Sequence, residues 1–119
     1  MAVMTPGAVA AVVAKAGHAV DLMRSIETED AIGGRNRVWN TITEDIACWV
    51  QPASGSTMEW WAERGITITH RIYFATEPGA QIGDRFLFGT RHMVLEGAQD
   101  VAETSELWYG DCRETKAVV

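Results

Sequence analysis

"GITITHRIYFATEPG", residues 65–79, decides the fold. Ile66, Ile68, His70, Ile72 and Phe74 alternate with Thr67, Thr69, Arg71 and Tyr73. A period of two, rich in β-branched and aromatic side chains, belongs to a strand that buries one face. Gly65 and Pro78-Gly79 punctuate its ends, so the pattern predicts a strand over 66–77. His70 falls on the apolar face, where a packed, hydrogen-bonded histidine is the expected reading.

Upstream, "PASGS" (52–56) breaks a long strand over 37–51. That strand sets Ile46, Cys48 and Val50 on one face and Ala47, Trp49 and Gln51 on the other. Its early part, "NTITEDI" (40–46), is polar enough for an exposed or bulged end. Ser56 and Glu59 form an S-x-x-E capping box that opens a short helix, Thr57 to Arg64, stopped by Gly65. Adjacent helical residues point about 100° apart, so Trp60 and Trp61 cannot both enter one small core. Two arrangements are open: both rings partly buried within the monomer, or one ring packed on the barrel and the other free for a partner. The second arrangement draws on the enrichment of tryptophan at interfaces.

Further upstream, "ETEDAIGGRNR" (27–37) reads as a polar loop, and residues 18–27 as a strand alternating Val20, Leu22 and Ile26 with Asp21, Met23 and Ser25. Thr5-Pro6 and the spacing of Val9, Val12, Val13 and Ala16 predict a helical arm closed by Gly17. The start lacks a basic n-region, its first cation being Lys15, and reads as part of the mature protein. Downstream, "EPGAQIGD" (77–84) turns the chain, 85–88 and 91–97 form a hairpin about Gly89-Thr90, and 107–115 is the last strand. The fold expected is mainly β: a small antiparallel β-barrel or sandwich with a short N-terminal helix and a short helix or loop in the long connector after the second strand. Residues 1–17 form the arm; 18–119 form the barrel domain, with its connector at 52–65.

The chain has 119 residues, 47% of them apolar, enough for one domain with its own core. No run of 18 apolar residues occurs, so no membrane-spanning helix is expected. The net charge is −6, and only Arg35 and Arg37 come close to a cationic pair. Tight binding to DNA phosphates is therefore not expected, although an acidic surface suits DNA that must slide past. Cys48 and Cys112 fit no metal spacing and read as buried free thiols.

His18 and His92 have no partner at metal spacing. Neither H-E-x-x-H nor C-x-x-C occurs, and no nucleophile–base set assembles. Glu27, Glu29 and Asp30 read as a solvated loop rather than an ion site. "PGAQIGD" (78–84) is similar to a turn of cupin barrels, which also need a histidine pair and a glutamate absent here. No catalytic residue, metal or cofactor is expected, and the chain reads as a non-enzyme.

The order of the pieces resembles the head-closure proteins of long-tailed bacteriophages, also called head-completion, head-tail joining or stopper proteins. The resemblance runs over about residues 18–115. It is carried by "WVQPASGS" (49–56), "ITHRIYF" (68–74), "GDRFLFGTRHMVLEG" (83–97), the acidic "AQDVAETSE" (98–106) and the closing "LWYGDCRE" (107–114). The Ala-rich arm departs from the family's pattern, whose members often begin near the first strand. The resemblance implies a β-barrel that assembles into a homo-oligomeric ring of six or twelve copies in the virion neck, after a period in the host cytoplasm. Its partners would be the portal and adaptor proteins above, the tail terminator below and packaged double-stranded DNA in the lumen, held weakly and without sequence preference. It also implies that the connector faces the channel and gates it. By position this assigns Ser54, Gly55, Ser56, Thr57, Glu59, Trp60, Trp61, Glu63 and Arg64 to that role. Trp60, Trp61, Arg35 and Arg37 are the subunit-interface candidates. The competing readings are a neighbouring neck component, such as the tail terminator or adaptor, a small cupin-like barrel enzyme, and a cellular ligand-binding or OB-like module, against which the net charge of −6 argues.

Overall fold

A computed structural model describes residues 13, 15, 17–29, 31–100 and 108–115. Among the described residues there are six strands: β1 (His18–Glu29), β2 (Arg35–Pro52), β3 (His70–Phe74), β4 (Arg85–Phe88), β5 (Arg91–Asp100) and β6 (Trp108–Thr115). One helix, α1 (Gly55–Ala62), lies in the connector between β2 and β3. All strand pairs are antiparallel and close a barrel in the order β1-β2-β3-β6-β5-β4. Closure removes the sheet edges that a flat six-stranded sheet would expose. The expected arm over 6–16 lies outside the described residues except for Val13 and Lys15, which are helical, with Val13 buried.

Six of the positions that the alternation placed on apolar faces point inward, whereas Ile26 on the same β1 face is 45% exposed. Val20 and Leu22 from β1, Cys48 and Val50 from β2, and Ile72 and Phe74 from β3 are buried in one cluster with Phe86, Met93, Leu95, Trp108 and Cys112. Phe74 packs against Phe86 and Trp108 at ring-centroid distances of 5.1 and 5.5 Å. This places the aromatic mass of the core between β3, β4 and β6. The thiols are free and buried, and burial raises the Cys48 pKa to about 12.

Three local expectations need correction. The strand predicted over 66–77 begins only at His70 and ends at Phe74. The Ile66 amide donates instead to the Trp61 carbonyl at 3.1 Å, so the chain is still leaving the helix where the alternating pattern starts. Helix α1 starts earlier than the capping box implied. Its N-cap is Ser54, whose Oγ accepts from the Thr57 amide at 3.2 Å, and Ser56 lies inside the helix. The loop read over 27–37 is mostly strand. The register sets Ile26 opposite Val38 and Glu27 opposite Arg37, pairings that favour a ladder, so β1 runs to Glu29 and β2 already begins at Arg35.

β1 and β2 consequently outrun the barrel. β1 meets β4 only at Asp21–Met23, and β2 meets β3 only at Trp49–Pro52. Beyond Met23 the two strands continue as a ribbon, six residues on the β1 side (24–29), or roughly 20 Å of rise. The register shifts between Val20 and Met23, and Asp45 takes a positive φ of 52° beside the Asp21 carboxylate, which accepts from its amide at 3.0 Å. Such irregularities strengthen twist and bend a strand, here where the ribbon leaves the wall.

Candidate functional site: a cleft between the connector helix and the outer wall

Two cross-strand rows run side by side on the outside of the barrel. The first is Trp49–Tyr73–Tyr109–Gln99, one residue each from β2, β3, β6 and β5. Trp49 stacks on Tyr73 at 5.4 Å, Tyr73 meets Tyr109 at 5.8 Å, and the Tyr109 hydroxyl donates to Gln99 Oε1 at 2.7 Å. The second row is Gln51–Arg71–Asp111–Gly97. Arg71 donates through Nε and Nη2 to the two Asp111 oxygens at 2.7 and 3.1 Å. Its guanidinium also lies over the Tyr109 ring at 4.1 Å, tying the rows together. Partial burial works against the Arg71 charge. Hydrogen bonds to Asp111 and Tyr73, with the Asp111 charge, outweigh it and raise the Arg71 pKa.

Helix α1 stands over the end of the second row. Trp61 Nε1 donates to Asp111 Oδ2 at 2.9 Å, completing the hydrogen bonding of a carboxylate whose residue is only 5% exposed. The indole lies on Gly97, where a Cβ would sit 2.5 Å from Trp61 Cζ2. Only glycine permits this approach. Gly97 follows a bulge at Glu96, which restores it to register opposite Asp111. None of the eight helical residues is fully buried, so Trp61 is the anchor of a helix too short to stand alone. Gly65, at φ 77°, closes the helix end.

Trp60 takes the other direction. It is 50% exposed, meets the Trp61 ring edge-on at 5.0 Å and carries the Arg64 guanidinium over its face at 3.5 Å. Together α1 and the β5–β6 wall enclose one side of an open cleft of about 730 Å³. Trp60, Trp61, Ala98, Tyr109 and Ile82 give it apolar lining, with Ser56, Thr57 and Gln99 among the polar groups.

Of the connector candidates, Ser54, Gly55, Ser56, Glu59, Glu63 and Arg64 are exposed, and Thr57 is half-buried in the cleft. Arg37 is exposed on the ribbon, opposite Glu27, and Arg35 opens β2 opposite Glu29. The ribbon thus holds these two arginines on β1–β2, whereas α1 holds the tryptophans against β5–β6. Arg71, Tyr109, Asp111 and Gly97 were not singled out as site residues. Alternation could put Arg71 on the outward face, but its union with Asp111 and Gly97 depends on registers set by residues distant in sequence.

His70 sits at one end of the barrel. Arg91 Nη2 meets its Nε2 at 3.2 Å, which leaves Nδ1–H to donate to Thr69 Oγ1 at 2.9 Å. Burial, then the Arg91 charge, lowers its pKa against the opposing effect of Glu114. His18 accepts from the Val50 amide through Nδ1 at 3.0 Å. Among the described residues no three His, Cys, Asp or Glu side chains gather in a metal-binding group. No described helix is long and apolar enough to cross a membrane.

No family model matches the chain, and no curated protein matches it. The solution structure of protein SF1141 from Shigella flexneri 2a is similar in fold, with a TM-score of 0.66 at 17% identity over 82% of this chain and 90% of that one. That likeness is one of fold alone.

Proposed function

We propose that this chain is a structural protein of the phage neck, forming a ring between the portal–adaptor assembly and the tail that retains packaged DNA and joins head to tail. The observation that carries this reading is the ordered motif set of the head-closure resemblance. Its "ITHRIYF", "GDRFLFGTRHMVLEG" and "LWYGDCRE" stretches end in β3, span β4–β5 and run through β6 of one closed barrel. The barrel interior is filled by side chains, so recognition falls to what stands outside it: a ribbon, a connector helix and an aromatic wall. A net charge of −6 suits a channel component that must let DNA pass without gripping its phosphates.

On this reading the exposed side of α1, with Trp60, Glu59, Glu63 and Arg64, meets the lumen or a neighbouring subunit, while Trp61 holds the helix to its own barrel. Three-dimensional reconstruction of virions that contain the chain is the test. The expected result is a ring around DNA between adaptor and tail. Density at the top of the tail, below another barrel ring, would assign the chain to the tail terminator instead. Absence from any ring would remove the neck reading.

A further inference from the structure

Two surfaces left over from the monomer's own packing suit each other. The first is the ribbon. Leu22, Arg24 and Ile26 alternate on the β1 face that lines the barrel, and this face continues past the point where β4 stops covering it. Arg24 is consumed by Asp84, which it grips through Nε and Nη2 at 2.9–3.3 Å. Beyond it the face carries Ile26 and its direct partner Val38, each 45% exposed, and the turn carries Ile32 at 93%. The second surface is the cleft beside α1, whose two buried-side charges, Arg71 and Asp111, cancel each other.

Their placement makes an encounter within one chain impossible. In the closed order β1-β2-β3-β6-β5-β4, the wall made of β5 and β6 is diametrically opposite β1 and β2. A projection therefore leaves one side of the barrel and a recess opens on the other. Copies that join through these two surfaces meet head to tail, a heterologous contact that propagates until a rotation closes it. Charge favours the same pairing. Copies with a net charge of −6 repel, and contact is least opposed where neither surface carries an unbalanced charge.

We propose that the β1–β2 ribbon of one copy seats its Ile26–Val38 face in the cleft between α1 and the β5–β6 wall of the next copy, against Trp60, Ile82 and Ala98. This inference rests on the ring reading only in requiring that copies meet side by side. The full-length chain carrying Ile26→Asp and the full-length chain carrying Trp60→Asp test it. Both positions are half-exposed, so the folded barrel should survive, as thermal melts would verify. Concentrated parent protein is expected to give a ladder of oligomers on chemical cross-linking. Each variant alone is expected to remain monomeric, and their equimolar mixture to stop at dimers, because only one intact ribbon and one intact cleft remain per pair. A direct check mixes Ile26→Cys with Ala98→Cys chains, which should form a disulfide-linked dimer under oxidation, while Ile26→Cys with Thr90→Cys should not.

Oligomers that persist in either Asp variant, or an Ile26–Ala98 yield no higher than the Thr90 control, would overturn the contact. A parent protein that gives no ladder and no Ile26–Ala98 link at millimolar concentration would overturn it too. If virion reconstruction still shows a ring after such a result, the neck reading stands and only this interface falls.

Discussion

At the residue scale, Asp111 does the most. One carboxylate accepts both prongs of Arg71 and the Trp61 indole N–H, and so couples β3, β6 and α1. Asp111→Ala leaves a largely covered guanidinium and an indole donor without their acceptor. A loss of about 3 kcal/mol in urea-unfolding free energy is expected, with a red shift of tryptophan emission as Trp61 leaves the wall. A loss below about 0.5 kcal/mol would show that water replaces the carboxylate at little cost. His70 supplies a pH dependence. Its folded pKa is lowered from 6.5, so the unfolded chain takes up the proton first. Its contribution to stability is full above 6.5 and is lost as pH falls through the folded pKa. His70→Gln should flatten the decline in melting temperature between about pH 7 and 5, a range above most carboxylate titration. An unchanged slope would assign the decline to other groups. Of these residues, His70 could be found by its strand pattern. Asp111 could not, because nothing in "WYGDCRE" (108–114) reveals which strands flank it.

At the element scale, α1 shows how a weak local signal is completed by one tertiary contact. Eight residues do not make a stable isolated helix, yet Ser54 caps it and Trp61 pins it. Ser54→Ala should cost the helix about 1 kcal/mol. The measurement is amide hydrogen exchange: protection of the helical amides at 58–63 should fall while β3 and β6 stay protected. Equal loss in the strands would mean that the connector and barrel unfold as one unit. The helix was legible in "PASGSTMEWWAERG" (52–65), but its start was displaced because Ser54 and Ser56 offer the same hydroxyl chemistry two residues apart. The β3 boundary failed for a different reason. Alternation from Ile66 is real, but an amide already engaged by the helix cannot join a ladder. The ribbon was missed because charged residues were read as loop, whereas opposite charges across a register stabilise paired strands.

At the scale of the whole molecule, the barrel is a single cooperative core with two thiols sealed inside it. Burial raises both thiol pKa values, that of Cys48 to about 12, so little reactive thiolate exists while the barrel is closed. Alkylation of Cys48 and Cys112 should therefore track barrel opening. Phe86→Ala removes a fully buried ring that packs on Phe74 and Trp108, and should cost about 4 kcal/mol. The modification rate of both cysteines should rise with it. Fast alkylation of the parent protein would mean that the barrel breathes without unfolding. The sequence by itself determined the strand-rich class, the two faces of β1, β2 and β3 within the barrel, the buried cysteines and the connector helix, because these depend on periodicity and capping within a few residues. Barrel closure, the strand order, the overhang of β1–β2 and the cleft under Trp61 were decided only in the tertiary structure. They follow from registers between segments tens of residues apart, where a shift of one residue exchanges the inner and outer faces, and no local pattern of side chains records which register wins.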